Sequence, residues 1–257
     1  MNEQKDQKIA AGFCRAMCLH DYVSRPPDLD YERAYRIQLA CAELMEAQGQ
    51  PVIGRKIGMT NRETLKNLDM PEPICAFVFS GHLLAQDEPV SVGARHIQAI
   101  EPELAFVLES DLNGPGVSPA AVLAATRGVM PAFELISSRY RDPAFIPPDC
   151  VADNAHCGGV ILGDRLLPVD GLDLRATGLV LEKNGQLLTV SAGAAVYGHP
   201  AASVAWLANK ANALGRPLKA GEIIMSGSFT APLPVQPADV FKARFGGIGC
   251  VGAVFAE

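Results

Sequence analysis

Apolar positions recur at helical spacing twice near the start of the chain. Residues 3–20 and 29–48 read as helices; the second carries Leu29, Ala34, Ile37, Ala40, Cys41, Leu44 and Met45 near a 3.6-residue period, behind a candidate N-cap, Asp28. Arg25-Pro26-Pro27 separates the two. Beyond residue 50 the pattern changes to short apolar runs broken by Gly and Pro. Residues 51–59 read as a strand, and Thr60 to Glu63 matches a capping box opening a short helix. Strands follow at 96–108 and 129–136, with a helix from Ser118 to Arg127 between them. Asn184-Gly185 between 179–183 and 186–190 signals a hairpin, because a type I′ turn needs positive φ at both central residues. His199-Pro200 opens a helix that stops at Gly215, and strands are expected at 222–226, 239–245 and 250–255. The pattern divides the chain into a helical N-terminal part, residues 1–50, packed on a β-rich body, residues 51–257.

Composition narrows the function classes. The 257 residues are 49% hydrophobic, enough to bury a large core, and only 19% charged, with a net charge of −6. Lys and Arg are scattered rather than clustered, which argues against nucleic acid as a partner. No apolar run of about 18 residues and no secretory leader pattern is present, so a cytoplasmic, membrane-free location is expected. Seven cysteines, odd in number and dispersed, suit reduced thiols. Cys14 and Cys18, four apart in a helix, could share a face and bind a soft metal, but no second Cys or His pair stands nearby, and they read as two buried, small apolar residues.

The chemistry concentrates in carboxylates. In His96-Ile-Gln-Ala-Ile-Glu-Pro-Glu-Leu-Ala-Phe-Val-Leu108, strand alternation puts Glu101 and Glu103 on one side, with Cα atoms roughly 6.5 Å apart, and Ile100, Pro102, Leu104, Phe106 and Leu108 on the other. Glu134 interrupts the run Val129 to Ile136, where an ionised carboxylate is costly without a compensating cation. Three carboxylates with all-oxygen donors suit Mg²⁺ or Mn²⁺. The alternative is an exposed Glu pair and an unrelated Glu134 paired with a residue such as Arg139. Lys56, flanked by Gly54 and Gly58, is a candidate for binding a substrate carboxylate or for acid/base work, against a solvated strand-end lysine. Asp153-Asn154-Ala-His156-Cys157 is a polar knot that reads as a turn. His20, His82 and His96 read as surface or structural residues. No nucleophile elbow, phosphate loop or dinucleotide fingerprint is present.

Several segments in order resemble the 2-keto-4-pentenoate hydratase and 4-oxalocrotonate decarboxylase family: Gly54-Arg-Lys-Ile-Gly-Met-Thr60, Ile100-Glu-Pro-Glu-Leu-Ala105, Pro131-Ala-Phe-Glu134, Ser138-Arg-Tyr140, Val151-Ala-Asp-Asn-Ala155, Gly198-His-Pro200 and Ile224-Met-Ser-Gly-Ser228. The resemblance covers nearly the whole chain. It implies the α+β fold of the fumarylacetoacetate hydrolase superfamily, a mixed, highly twisted β-roll with peripheral helices. It also implies a Mg²⁺ or Mn²⁺ site on Glu101, Glu103 and Glu134, catalytic roles for Lys56 and Glu134, and substrate contacts at Lys56, Ile74, Arg139, Ser226 and Gly227. Hydratases of the family carry Pro-Asp-Tyr-Gly where this chain has Pro73-Ile74-Cys75-Ala76, so Ile74 stands at the hydratase aspartate, as in decarboxylases. The departures are Cys75-Ala76 for Tyr-Gly, Pro102 between the glutamates, His156-Cys157 after Asp153-Asn154, and Ser228-Phe229-Thr230, which resembles the diacid-hydratase branch.

The function this implies is metal-dependent decarboxylation of a small α-keto diacid, 2-oxo-3-hexenedioate, in degradation of aromatic compounds. Hydration of 2-hydroxypenta-2,4-dienoate or a related diacid is the alternative, and a catalytically silent subunit of a family hydratase a third. The resemblance also implies a homo-oligomer able to associate with a hydratase of the same family.

Overall fold

The computed structural model describes residues 2–142 and 144–257. In chain order the elements begin with helices α1 (Asn2–Leu19) and α2 (Tyr31–Ala47), strand β1 (Val52–Gly58), helix α3 (Arg62–Asn67), and strands β2 (Ile74–Phe79), β3 (Leu83–Leu84) and β4 (Val90–Ser91). Helix α4 (Val92–Arg95), β5 (Ala99–Leu108), α5 (Pro119–Ala124), β6 (Thr126–Ile136), α6 (Pro147–Ala152) and β7 (Cys157–Leu162) follow. The last part comprises β8 (Gly178–Lys183), β9 (Gln186–Ala192), α7 (Pro200–Ala213), β10 (Ile223–Ser228), β11 (Leu233–Pro234), β12 (Val240–Phe245) and β13 (Gly249–Ala256).

Two sheets form the body. The larger runs β2-β1-β10-β5-β6-β7-β3, with β11 also on β5; the smaller runs β4-β13-β12-β8-β9. Parallel pairs (β1 with β10, β3 with β7) mix with antiparallel ones, giving the curled mixed sheet that the sequence implied. One face of the larger sheet buries Ile100, Leu104, Phe106, Phe133 and Ile224 in a core that continues into Phe13, Ile37 and Cys41 of α1 and α2. Gln38 of α2 is buried and donates to the carbonyls of Cys75 and Val151, so the helical lead-in is tied to β2 by polar contacts as well as packing.

Local differences from the sequence reading have simple causes. Helix α2 is capped by Asp30, which accepts from the Arg33 N–H, while Asp28 lies at positive φ. Helix α3 is capped by Asn61, not Thr60, because the Asn61 carboxamide accepts from both Glu63 and Thr64. Helix α5 ends at Ala124 rather than Arg127, and the Thr126 hydroxyl turns back onto the Val122 carbonyl where β6 begins. The hairpin stands: Asn184 and Gly185 have φ of 53° and 76°. His199 caps α7 through Nδ1, which accepts from the Ala201 N–H. Among the described residues, no helix is long and apolar enough to cross a membrane.

Candidate active site

Four adjacent strands put the site together. In the antiparallel β5/β6 pair, Glu101 stands directly opposite Glu134, and Glu103 opposite Ala132, so all three glutamates project from one face. Their carboxylate oxygens lie within 4.8 Å of one another. Farther along that face lie Val78, Ala105, Ala132, Val160 and Met225, an apolar floor. Glu103 and Glu134 are fully buried; only Glu101 retains access to solvent.

Lys56 enters from β1. It is not a solvated strand-end lysine: it is 2% exposed, and its Nζ lies 2.6 Å from Glu134 Oε1. Burial works against its charge, but Glu134 and other neighbours, Glu101 among them, outweigh it and hold the ammonium above the ordinary lysine range. Lys56 is therefore a fixed cation at neutral pH. Gly227 of β10 adopts φ +110° and gives its N–H to Glu103 Oε2 at 2.8 Å. A Cβ there would stand 2.4 Å from Thr60 Oγ1, so only glycine lets the strand end reach Glu103 beneath Thr60.

The carboxylates fit a divalent cation. Glu103 Oε1 and Glu134 Oε2 are buried without any hydrogen-bond partner, an arrangement that is costly unless something else binds them. Three carboxylates against one ammonium leave two negative charges for that something to cancel. Without it, burial and the Glu134 charge push Glu101 up to about 8, and burial with the Glu134 and Glu101 charges carries Glu103 well above the usual carboxylate range. A metal must displace those protons. Above pH 8 Glu101 is ionised; below it, each ion bound releases a proton, so affinity falls as pH falls. We expect Mg²⁺ affinity, measured by calorimetry, to drop by up to about tenfold per unit below pH 8 for each proton released. Affinity that stays flat from pH 6 to 9 would contradict the ligand set.

A cleft of about 400 Å³ opens over Glu101, lined by Gly58, Met59, Thr60, Asn61, Ser191, Ser228, Phe229 and Thr230. Its hydroxyls come from the β1–α3 connection (Thr60), α3 (Thr64), β9 (Ser191) and the end of β10 with the residues after it (Ser228 and Thr230). The motif segments contained Thr60, Ser228 and Thr230, but only the fold shows that they share a wall. Ile74 lies deeper and is fully buried; its Cγ1 and Lys56 Nζ stand 3.1 and 3.9 Å from the point where a Cβ on Gly58 would fall. The bare Gly58 leaves an apolar wall beside the ammonium.

Three expected positions fall elsewhere. Arg139 does not meet Glu134: its Nε and backbone N–H hold the Asp153 carboxylate at 2.5 and 2.8 Å, and its remaining nitrogens bind the Cys157 and Asp153 carbonyls. These bonds hold Arg139 against Asp153, away from the glutamates. Ser226 and Gly227 lie outside the cleft lining; Gly227 acts through Glu103, and Ser226 offers its carbonyl to the Ser203 hydroxyl. The segment 153–157 is more than a turn. Asn154 accepts from the Phe77 N–H and donates to its carbonyl, fastening β2, and Asn154, Ala155 and His156 all have positive φ.

No protein-family model matches the chain. It is 38% identical to the 2-hydroxyhexa-2,4-dienoate hydratase of Comamonas testosteroni, over 99% of this chain and 97% of that one. It is 39% identical to the 4-oxalocrotonate decarboxylase of Pseudomonas sp. (strain CF600), over 89% and 87%. The solved 4-oxalocrotonate decarboxylase from Pseudomonas putida G7, complexed with magnesium and adipate, superposes with a TM-score of 0.94 at 33% identity, over 99% and 98%. Fumarylacetoacetate hydrolases below 20% identity share the fold alone. Fold and site thus define a β-roll enzyme of the fumarylacetoacetate hydrolase type. Within it, the chain belongs to the family of 4-oxalocrotonate decarboxylases and 2-keto-4-pentenoate hydratases, whose members are lyases.

Proposed function

We propose that the chain decarboxylates 2-oxo-3-hexenedioate to 2-hydroxypenta-2,4-dienoate and CO₂, with Mg²⁺ or Mn²⁺ held by Glu101, Glu103 and Glu134. The observation that carries this reading is Ile74, a buried apolar side chain beside Lys56 where a water-adding enzyme of the family has an aspartate. When bound, the ion supplies Lewis acidity to the substrate's C1 carboxylate and C2 carbonyl. Breaking the C5–C6 bond releases CO₂ and sends its electron pair through the C3–C4 alkene to the C2 oxygen. Ile74 offers the departing group an apolar surface, which favours neutral CO₂ over the anion. Lys56, held protonated by Glu134, keeps positive charge near the forming dienolate and is a source of its proton. Thr60, Ser228 and Thr230 offer hydroxyls to the substrate's outer end.

Likeness to the solved decarboxylase, which holds adipate, a six-carbon diacid, supports the substrate class. The second reading, hydration of 2-hydroxypenta-2,4-dienoate or a related diacid, draws on the hydratase relative that aligns over nearly the whole chain. The two separate at Ile74. We expect Ile74→Asp to lower the rate of CO₂ release by on the order of 10²-fold, because a carboxylate then faces the departing one, while Ile74→Val keeps it. Equal CO₂ release from all three proteins would remove Ile74 from the mechanism. Exposed Leu187, Leu188 and Val190 on the edge strand β9 support self-association, and seven free cysteines support a cytoplasmic setting.

A further inference from the structure

Two pairs of sulfur-bearing side chains, unused by the chemistry above, face each other between α1 and α2. Cys14 and Cys18 stand four apart on α1, and Cys41 and Met45 four apart on α2, so each pair occupies one helix face. The Cys14 thiol donates to Met45 Sδ at 3.5 Å and the Cys18 thiol to the same sulfur at 3.7 Å. Cys41, buried one turn before Met45, lies on the same face of α2. The second pair, which sequence neighbours did not supply, comes from a helix 27 residues away. Cys14 is buried as expected, whereas Cys18 is exposed.

We propose that Cys14, Cys18 and Met45, backed by Cys41, bind a soft monovalent cation of the Cu(I) type. Two thiolates and a thioether form a donor set that selects Cu(I) and disfavours Mg²⁺ or Ca²⁺, which take oxygen ligands. Two sulfurs bonded to one ion at about 2.3 Å stand no more than about 4.6 Å apart, and both measured separations fall inside that limit. Binding one Cu⁺ releases the two thiol protons to solvent and changes no oxidation state. An ion has a way in: a cavity of about 220 Å³ is lined by Met17, Cys18, His20 and Met45. On the inner side, buried Phe13 and Ile37 shield the sulfurs from water. The glutamate cluster sits on the opposite face of the larger sheet from the core these helices join, so the two sites are independent.

The test offers reduced, metal-free protein the coloured Cu(I)–bicinchoninate complex under anaerobic conditions. The wild type withdraws one Cu(I) per chain. Cys18→Ser and the double variant Cys14→Ser/Cys18→Ser lose that equivalent, and the near-isosteric Met45→Leu loses it in part, while Cys250→Ser, at a remote exposed thiol, keeps it. Far-UV circular dichroism confirms that each variant is folded. The proposal is overturned if the wild type leaves the chelator complex intact, or if folded Cys18→Ser and Met45→Leu withdraw as much copper as the wild type. Equal retention of Zn²⁺ in the same competition format would overturn the soft-ion assignment.

Discussion

Glu101→Gln removes Mg²⁺ binding and turnover together while leaving the fold intact. Glu101 is the one member of the trio that reaches the cleft, and the substitution keeps its shape while removing its charge. Loss of a direct ligand is expected to weaken Mg²⁺ by more than about 100-fold, since even partners of ligands cost 10- to 100-fold. Turnover falls by on the order of 10³-fold, the scale of losing a principal electrostatic contribution. Thermal denaturation separates this from general damage. Wild-type protein at about 100 times its Kd gains about 2.7 kcal/mol from the ion, and the variant gains less than about 0.4 kcal/mol at the same concentration. The metal-free variant is no less stable than metal-free wild type, because one of three crowded carboxylates has been neutralised. A Glu101→Gln protein that is active, with unchanged Mg²⁺ affinity, would take Glu101 out of the ligand set.

Lys56→Met separates the ammonium's role from the metal's. The substitution removes the cation 2.6 Å from Glu134 and keeps a side chain of similar length in a fully buried position. Turnover falls by about 10²- to 10⁴-fold if Lys56 supplies a proton to the dienolate. Metal binding responds differently, and its sign follows from the charges. Lys56 holds the glutamate pKa values down, so removing it raises them further and steepens the fall of Mg²⁺ affinity with falling pH, while at high pH the lost repulsion between ammonium and ion strengthens binding. Raising the pH then restores binding but not turnover. Recovery of both above pH 9 would reduce Lys56 to a charge that merely keeps the carboxylates ionised.

Much of this site was legible in the chain because strand alternation is a local rule. Glu101 and Glu103 two apart, with Ile100, Pro102 and Leu104 between and beside them, fixed a shared face without any tertiary information. Glu134 stood out for its cost in an apolar strand, but its place opposite Glu101 depends on the β5/β6 register, which the stretch between Leu108 and Thr126 leaves open in sequence. Strand β2 escaped the pattern because Ile74 to Phe79 is buried throughout and shows no alternation. Strand β7 escaped because Gly158 and Gly159 give it no side-chain alternation, whereas the Ser137 and Leu84 side chains press where side chains on those glycines would lie. The ion pair of Arg139 escaped for a related reason. Asp153, its partner, is fourteen residues away, and a long-range buried ion pair leaves no periodic signature. The cleft hydroxyls, carried by segments far apart in the chain, met only on folding.

The most direct test gives the purified protein 2-oxo-3-hexenedioate with Mg²⁺, and then with EDTA, and follows CO₂ release alongside the organic product. The account predicts one CO₂ for each 2-hydroxypenta-2,4-dienoate formed, abolished by EDTA and restored by Mg²⁺ or Mn²⁺. No CO₂ from the diacid, with metal-dependent addition of water to the dienoate instead, would contradict it and make this chain a hydratase that works without an aspartate at position 74.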